Sequence, residues 1–252
     1  MIKNLLAVIL TSLTCLSCNS QQAANGVNNK TQDDAYTTKS GKQVTFTFIK
    51  HASLEIKYDG LSIQVDPVTK LPPETDYNKF SKAAFILVTH EHFDHFDKDA
   101  IATLSDNNTQ VVLNKRCAEM LGKGKAMNNG ETLKLRNDIT IEAVPAYNTT
   151  PDHLQFHPKG RDNGYVLNLD GLRIYIAGDT EDIPEMANLK DIDIAFLPCN
   201  QPYTMTPEQL AKAAKMFKPK VLYPYHYSYT PVEQINTLLN GTGIEVKIRA
   251  LK

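Results

Sequence analysis

Between Val88 and Asp97 the chain reads VTHEHFDHFD, so that His90, His92 and His95, three of its seven histidines, stand close together and interleave with Glu91, Asp94 and Asp97. Imidazole nitrogens and carboxylate oxygens are the ligands that suit zinc and similar divalent ions. His90 and His92 are two positions apart, and in extended chain such residues point the same way. Asp94 and His95 follow in a turn, because helix signals begin at Asp97. A zincin helix is excluded: after His90-Glu91 its pattern needs a histidine where Asp94 stands. Histidines scattered in a polar loop are the bland alternative. Four ligand-type residues gathered behind an apolar run favour a metal site over it.

That apolar run, AAFILVT at positions 83–89, reads as a fully buried strand. Ahead of it, Val44–Lys50, Ser53–Tyr58 and Leu61–Pro67 alternate as half-buried strands do, and Asp59-Gly60 marks a tight hairpin. Helices are expected at Asp97–Ser105 and Lys115–Leu121, with QVVLN as a strand between them. Strands follow in ETLKL, ITIEAVPAY, GYVLNL and LRIYIAGD, with a second hairpin turn at Asp170-Gly171. A short helix near Pro184, a buried strand DIAFLP and a helix opened by Thr206, Pro207 and Gln209 come next, the last with a capping-box start. KVLYPYHY is a buried strand, and PVEQINTLL and IEVKIRAL end the chain as helix and strand. Strands and helices in this order imply two packed sheets with helices outside, an α/β (α+β) sandwich. Tyr223, Tyr225, Tyr227 and Tyr229 alternate, which on a strand means one packed face.

The 252 residues, 42% of them hydrophobic, suffice for one domain with its own core. A net charge of −1 without a long basic run gives nucleic-acid binding no electrostatic support. No nucleophile elbow, phosphate-binding loop or dinucleotide fingerprint is present. Cys117 and Cys199 are read as buried thiols; an oxidising compartment would permit their pairing. Oligomeric state is not legible.

The first residues, MIKNLLAVILTSLTCLSC, have a lysine, an apolar run and then small residues, as a secretory signal does. CLSCNSQQ resembles a bacterial lipoprotein processing site. That resemblance implies a signal peptide over 1–18, lipid on Cys18 (Cys15 is weaker) and a domain anchored in the cell envelope, facing the periplasm or exterior. A plain signal peptide is the alternative. Residues 19–41 are polar and lack apolar periodicity, so a flexible linker is expected there, with the domain over 42–252.

HEHFDH resembles the H-x-H-x-D-H signature of the metallo-β-lactamase superfamily. IAGDTE and YPYHY follow in the family's order, and FIKHASLEIKYDGLSIQVDP is similar to the opening of its ascorbate-6-phosphate-lactonase-like hydrolase branch. The resemblance runs from about Val44 to the C-terminus. It implies the αββα sandwich and one or two divalent ions, zinc first and manganese second. His90 and His92 would hold one ion, Asp94, His95 and His226 the other, and Asp179 would bridge. Metal-bound hydroxide would then attack an ester-type bond, a lactone or carboxylic ester or a phosphodiester, with Asp94 orienting the nucleophile or taking a proton. A β-lactamase role is weaker, because the likeness is to another branch.

One position departs from the pattern. Asn148 stands where a histidine is expected after AVPAY. Asn148 could bind through its oxygen, His157 or His153 could swing in from the following loop, or one site could be half-empty. His157 is preferred, and His153 is read as a surface residue. Lys159 and Arg161 in the same loop would suit an anionic small-molecule substrate. His51 resembles a position near the metal site and could orient substrate or cap a hydrogen bond. The competing reading is a decayed metal-binding or scaffold lipoprotein, which Asn148 favours and the six retained ligand positions oppose.

Overall fold

In the computed structural model, residues 34–251 are described. The first sheet runs β1 (Asp34–Thr37), β2 (Gln43–Lys50), β3 (Ser53–Tyr58), β4 (Leu61–Val65), β5 (Phe85–Val88), β6 (Gln110–Leu113) and β7 (Lys125–Ala126), in sequence order. β8 (Thr132–Arg136), β9 (Ile139–Ala146), β10 (Asp162–Leu169), β11 (Leu172–Ile176), β12 (Ile194–Pro198), β13 (Val221–Tyr225) and β14 (Glu245–Val246) form the second, again in order. Each sheet begins with antiparallel hairpins and changes to parallel strands, at β4–β5 and at β11–β12. The hairpin turns carry positive φ at both central residues, Asp59 (52°) and Gly60 (77°), then Asp170 (48°) and Gly171 (86°). That backbone matches the twist of the strands it joins.

Between the sheets, Phe46 and Phe48 of β2 meet Phe196 of β12 and Tyr223 of β13, with Phe46–Phe196 and Phe196–Tyr223 ring centroids 5.6 and 5.0 Å apart. Burial of a side chain this large contributes ~1.5–3 kcal/mol. Outside the first sheet, α1 (Lys98–Leu104) and α2 (Lys115–Leu121) lay Ile101, Leu104 and Cys117 on Ile86, Val88 and Leu113. Outside the second, α3 (Pro207–Phe217) sets Phe217 against Tyr175. Its capping box is complete: Gln209 N–H donates to the Thr206 hydroxyl, and Thr206 N–H to the Gln209 side chain. A short α4 (Gln234–Leu238) follows β13. This is the αββα sandwich of two mixed sheets that the sequence implies.

Four local expectations need correction or a limit. Residues 34–37 lie in the expected linker but form β1, because Tyr36 packs edge-on against Phe46 and Asp34 pairs with Arg249. A four-residue strand anchored by such distant partners carries no periodic signal. The last strand shrinks to Glu245–Val246, and the alternating tyrosines are buried only through Tyr227, with Tyr229 fully exposed. The reading of Cys117 and Cys199 as buried thiols holds: both are free, in different apolar clusters. The expected signal peptide and Cys18 lie outside the described residues; among those described, no helix is long and apolar enough to cross a membrane.

Candidate metal centre

The carboxyl ends of the parallel strands converge at one edge of the sandwich, where α/β folds commonly place their ligands. Asp66 directly follows β4, and its carboxylate accepts from the Thr89 N–H (2.8 Å) and hydroxyl (2.7 Å) and from His95 Nδ1 (2.8 Å). The Thr89 hydroxyl in turn accepts from His90 Nδ1 at 3.0 Å. One buried carboxylate thereby orients two imidazoles, and both are left with Nε2 free to bind. The His95 and Phe96 N–H groups donate to the His92 carbonyl, closing the turn that brings the His90 and His95 rings to 4.1 Å. Asp97 fixes its far side by capping α1 and accepting from Thr69 N–H.

Asp179 enters from the other sheet, after β11. Gly178 makes this possible: its φ is +64°, and a Cβ there would lie 2.9 Å from the Asn163 carbonyl oxygen and 3.1 Å from Thr89 Cβ. Any other residue would push the sheet ends apart. The Asp179 carboxylate consequently sits among four imidazoles. Its Oδ1 is 3.3 Å from His95 Nε2, and its Oδ2 lies 3.2 Å from His226 Nε2, 3.4 Å from His157 Nε2 and 3.8 Å from His90 Nε2. His226 follows β13 with φ +50°, and its N–H donates to the His51 carbonyl.

Asn148 and His157 meet at the departing position. Asn148 N–H donates to the His157 carbonyl at 2.8 Å, so the loop returns to the end of β9 and sets His157 there. His157 Nδ1 is 3.0 Å from Asp162 Oδ2, and its ring is 4.9 Å from that of His90 and 4.8 Å from that of His92. The Asn148 side-chain nitrogen donates to the His153 and Tyr203 carbonyls, while its Oδ1 has no hydrogen-bond partner. His153 is held instead by Glu181, at 3.2 Å.

Lys159 and Arg161 do not line the cavity over the centre, contrary to the expectation of a substrate-facing role. Carboxylates hold them elsewhere: Lys159 Nζ reaches Glu185 at 2.8 Å, and Arg161 Nε reaches Asp162 at 2.7 Å. Arg161 thus fixes the carboxylate that fixes His157. His51 does border the cavity, its Nε2 3.2 Å from Asp94 Oδ2 and its ring 3.8 Å from that of His226. Asp66, Thr89 and Asp162 were missed from sequence. An acidic residue closing a strand, as in IQVDP, is the only signal that could have marked the first.

The electrostatics fit a cation. Burial opposes the ionised form of Asp179, yet His226 and His95 hold its carboxyl well below the usual range. Asp94 is likewise depressed, burial being outweighed by the His95, His226 and His51 imidazoles around it. Burial pushes His90 well down, and His92 and His51 down. His226 rises to about 9 and His95 well above its ordinary value, because the nearby carboxylates overcome burial. With no ion bound, the buried carboxylates therefore favour the protonated forms of His226 and His95. His90 Nε2, His95 Nε2, His226 Nε2 and Asp179 Oδ1 are buried without a hydrogen-bond partner. Such groups are costly unless something else satisfies them. Three groups each bring their ligand atoms within 4.8 Å of one another: His51, Asp94, His95 and His226; His90, His92 and His157; and His90, His95 and Asp179. The donor set can hold divalent metal.

Two mixed sheets with this histidine–aspartate cluster at their shared edge define a metal-dependent hydrolase of the metallo-β-lactamase fold. The sequence model of the β-lactamase superfamily domain matches residues 45–226. A UPF0173 metal-dependent hydrolase of Caldivirga maquilingensis is 30% identical over 221 residues, 81% of this chain and 93% of that protein. A crystal structure from Parabacteroides distasonis, provisionally named a metal-dependent hydrolase, is 56% identical with a TM-score of 0.85, covering 88% of this chain and 99% of that one. The metallo-hydrolase Igni18 of Ignicoccus hospitalis is 26% identical with a TM-score of 0.69, over 82% and 95% of the two chains. The chain belongs to the metallo-β-lactamase superfamily, among the UPF0173 metal-dependent hydrolases.

Proposed function

We propose that the protein hydrolyses an ester-type bond at a binuclear centre. His90, His92 and His157 would hold one ion and Asp94, His95 and His226 the other, with the Asp179 carboxylate lying among both sets. The observation that carries this is the Asp179 carboxylate, buried among four imidazoles whose inward nitrogens mostly lack any other partner. Bound divalent ions, zinc in the first instance, would supply an activated water and positive charge for the oxygen that becomes anionic. The chain's own residues do the rest. Asp66 and Asp162 fix the imidazole orientations. Asp94 Oδ2, between His51 Nε2 at 3.2 Å and His226 Nε2 at 3.4 Å, is placed to hold a proton taken from the attacking water. His51 steadies that carboxylate.

The likeness to the ascorbate-6-phosphate-lactonase branch supports a lactone or carboxylic ester as substrate, with a phosphodiester as the second choice. The lipoprotein-like N-terminus supports an envelope location for a tethered domain. The decayed-scaffold reading drew on Asn148, and it loses that support with His157 standing beside it.

Metal content of the purified protein, measured by mass spectrometry, tests the centre. Close to two equivalents are expected, falling to about one in His157→Ala and lower in Asp179→Ala, with hydrolysis lost by roughly a thousandfold or more in the latter. If the unaltered protein retained no metal after reconstitution with zinc or manganese, the hydrolase reading would fail.

A further inference from the structure

The cavity over the centre holds about 460 Å³, within the usual range for a small-molecule site. Beyond the metal-centre residues, its wall is Leu71, Phe93, Phe156, Tyr203, Asn200 and Ser228. No lysine or arginine is among the lining residues described. Every cation that could answer an anionic substrate is therefore a bound ion itself, and the rest of the wall is apolar or neutral.

The loop after β9 sorts its side chains by chemistry. Phe156 and His157 face the cavity, while Lys159 and Arg161 pair with Glu185 and Asp162 elsewhere. Phe156 meets Tyr203 edge-on, ring centroids 4.9 Å apart at 70°. Phe93 stands between His92 and Asp94, two members of the centre, yet its side chain is 80% exposed. A large ring left in water beside a polar centre gains when something apolar covers it. The pattern extends past the wall. Of five exposed large apolar side chains among the described residues, Phe93 and Tyr203 line this cavity, Leu154 lies two positions from Phe156, and Tyr229 adjoins Ser228; only Met120 stands apart, on α2.

Resting on the hydrolase reading above, we propose that the substrate is a neutral carboxylic ester with an apolar acyl group, seated against Leu71, Phe93, Phe156 and Tyr203. Those four side chains set specificity; the centre sets the reaction. In hydrolysis, water's oxygen bonds to the acyl carbon and the acyl carbon–oxygen bond breaks. One of water's protons goes to the leaving alkoxide, which departs as the alcohol. The other is released as the product acid ionises to a carboxylate. Asn200 and Ser228 add polar groups to the same wall without adding charge.

The test uses the zinc-loaded protein with p-nitrophenyl acetate, butyrate and octanoate, an anionic p-nitrophenyl hemisuccinate, and bis(p-nitrophenyl) phosphate. The expected result is kcat/KM at least about tenfold higher for octanoate than for acetate, since a methylene enclosed in an apolar pocket can contribute about tenfold on its own. Hemisuccinate should be poorer than butyrate. Phe93→Ser and Tyr203→Ser, both at exposed positions, should cut the octanoate-to-acetate ratio at least about threefold at unchanged metal content. A flat chain-length profile, a preference for hemisuccinate, or a ratio unmoved in both variants overturns the proposal. Hydrolysis of the phosphodiester alone also overturns it but leaves the hydrolase reading standing. No turnover of any of the five compounds defeats both.

Discussion

Charged residues gather at both ends of the sandwich, and the two gatherings are built on opposite terms. At the hairpin end, Lys42 lies 3.1 Å from both Asp59 and Asp138, and Arg136 reaches Asp138 at 2.6 Å and Asp59 at 2.8 Å. Tyr58 donates to Asp138 beneath them, at 2.7 Å. The four charged side chains are between 24% and 40% exposed, so water shares the work of solvating them. At the other end, Asp179 and its imidazoles are almost wholly buried, no lysine or arginine reaches that carboxylate among the contacts described, and inward nitrogens are left without hydrogen bonds. Self-satisfied charge at a wet end is a structural clasp. Unsatisfied charge in a dry one waits for a ligand.

Asp66→Asn cuts deepest into that contrast short of removing a ligand. Asp66 accepts three hydrogen bonds with its carboxylate, and asparagine would offer a donor where Thr89 and His95 already donate. Metal affinity should fall by about 10–100-fold, the usual cost of losing an outer partner of a ligating histidine. Titration against a chelator of known affinity reads this directly. An unchanged affinity would mean that Asp66 serves the fold and not the centre.

The second way to sharpen the comparison is pH. In the metal-free protein His226 rises to about 9, and a group whose folded pKa lies above its unfolded value of roughly 6.5 adds stability in full below that value. The contribution is lost as pH climbs through 9, and His95, shifted the same way, adds to the trend. Chelated protein should therefore lose ~1–3 kcal/mol between pH 6.5 and 9, read from urea midpoints. Metal binding must displace these protons, so affinity should rise over the same interval. A chelated protein whose midpoint rises across it would contradict the favoured protonation of His226 and His95.

How legible all this was follows from distance along the chain. The histidine cluster lies in one short segment, and the apolar run before it and the helix after it could be read directly. The two sheets were readable from alternation and from Asp-Gly turns. Asp179 and His226 carried no local signal of their own and came from family resemblance. His157 was ambiguous, because only the closure of its loop onto Asn148 brings it to the end of β9. Lys159 and Arg161 were misplaced for the same reason: a charge in a loop near a pocket is drawn to whichever carboxylate the fold presents, and here Glu185 and Asp162 were nearer. The apolar rim was invisible, since Phe93, Phe156 and Tyr203 come from three separate loops.

Arg136→Ala tests the hairpin end, with the smallest expected effect. The guanidinium bridges Asp138 and Asp59 and lies 5.4 Å from the centre of the Tyr58 ring, which looks substantial as a contact list. Lys42 remains beside both carboxylates in the variant, and all of these groups touch water. The loss should stay at or below about 1 kcal/mol and shrink further in high salt, because exposed pairs are screened and their ordering offsets much of the attraction. Metal content and hydrolysis should not change. A loss of several kcal/mol, insensitive to salt, would show that this end is as tightly coupled as the buried one, and exposure would then no longer separate the clasp from the centre.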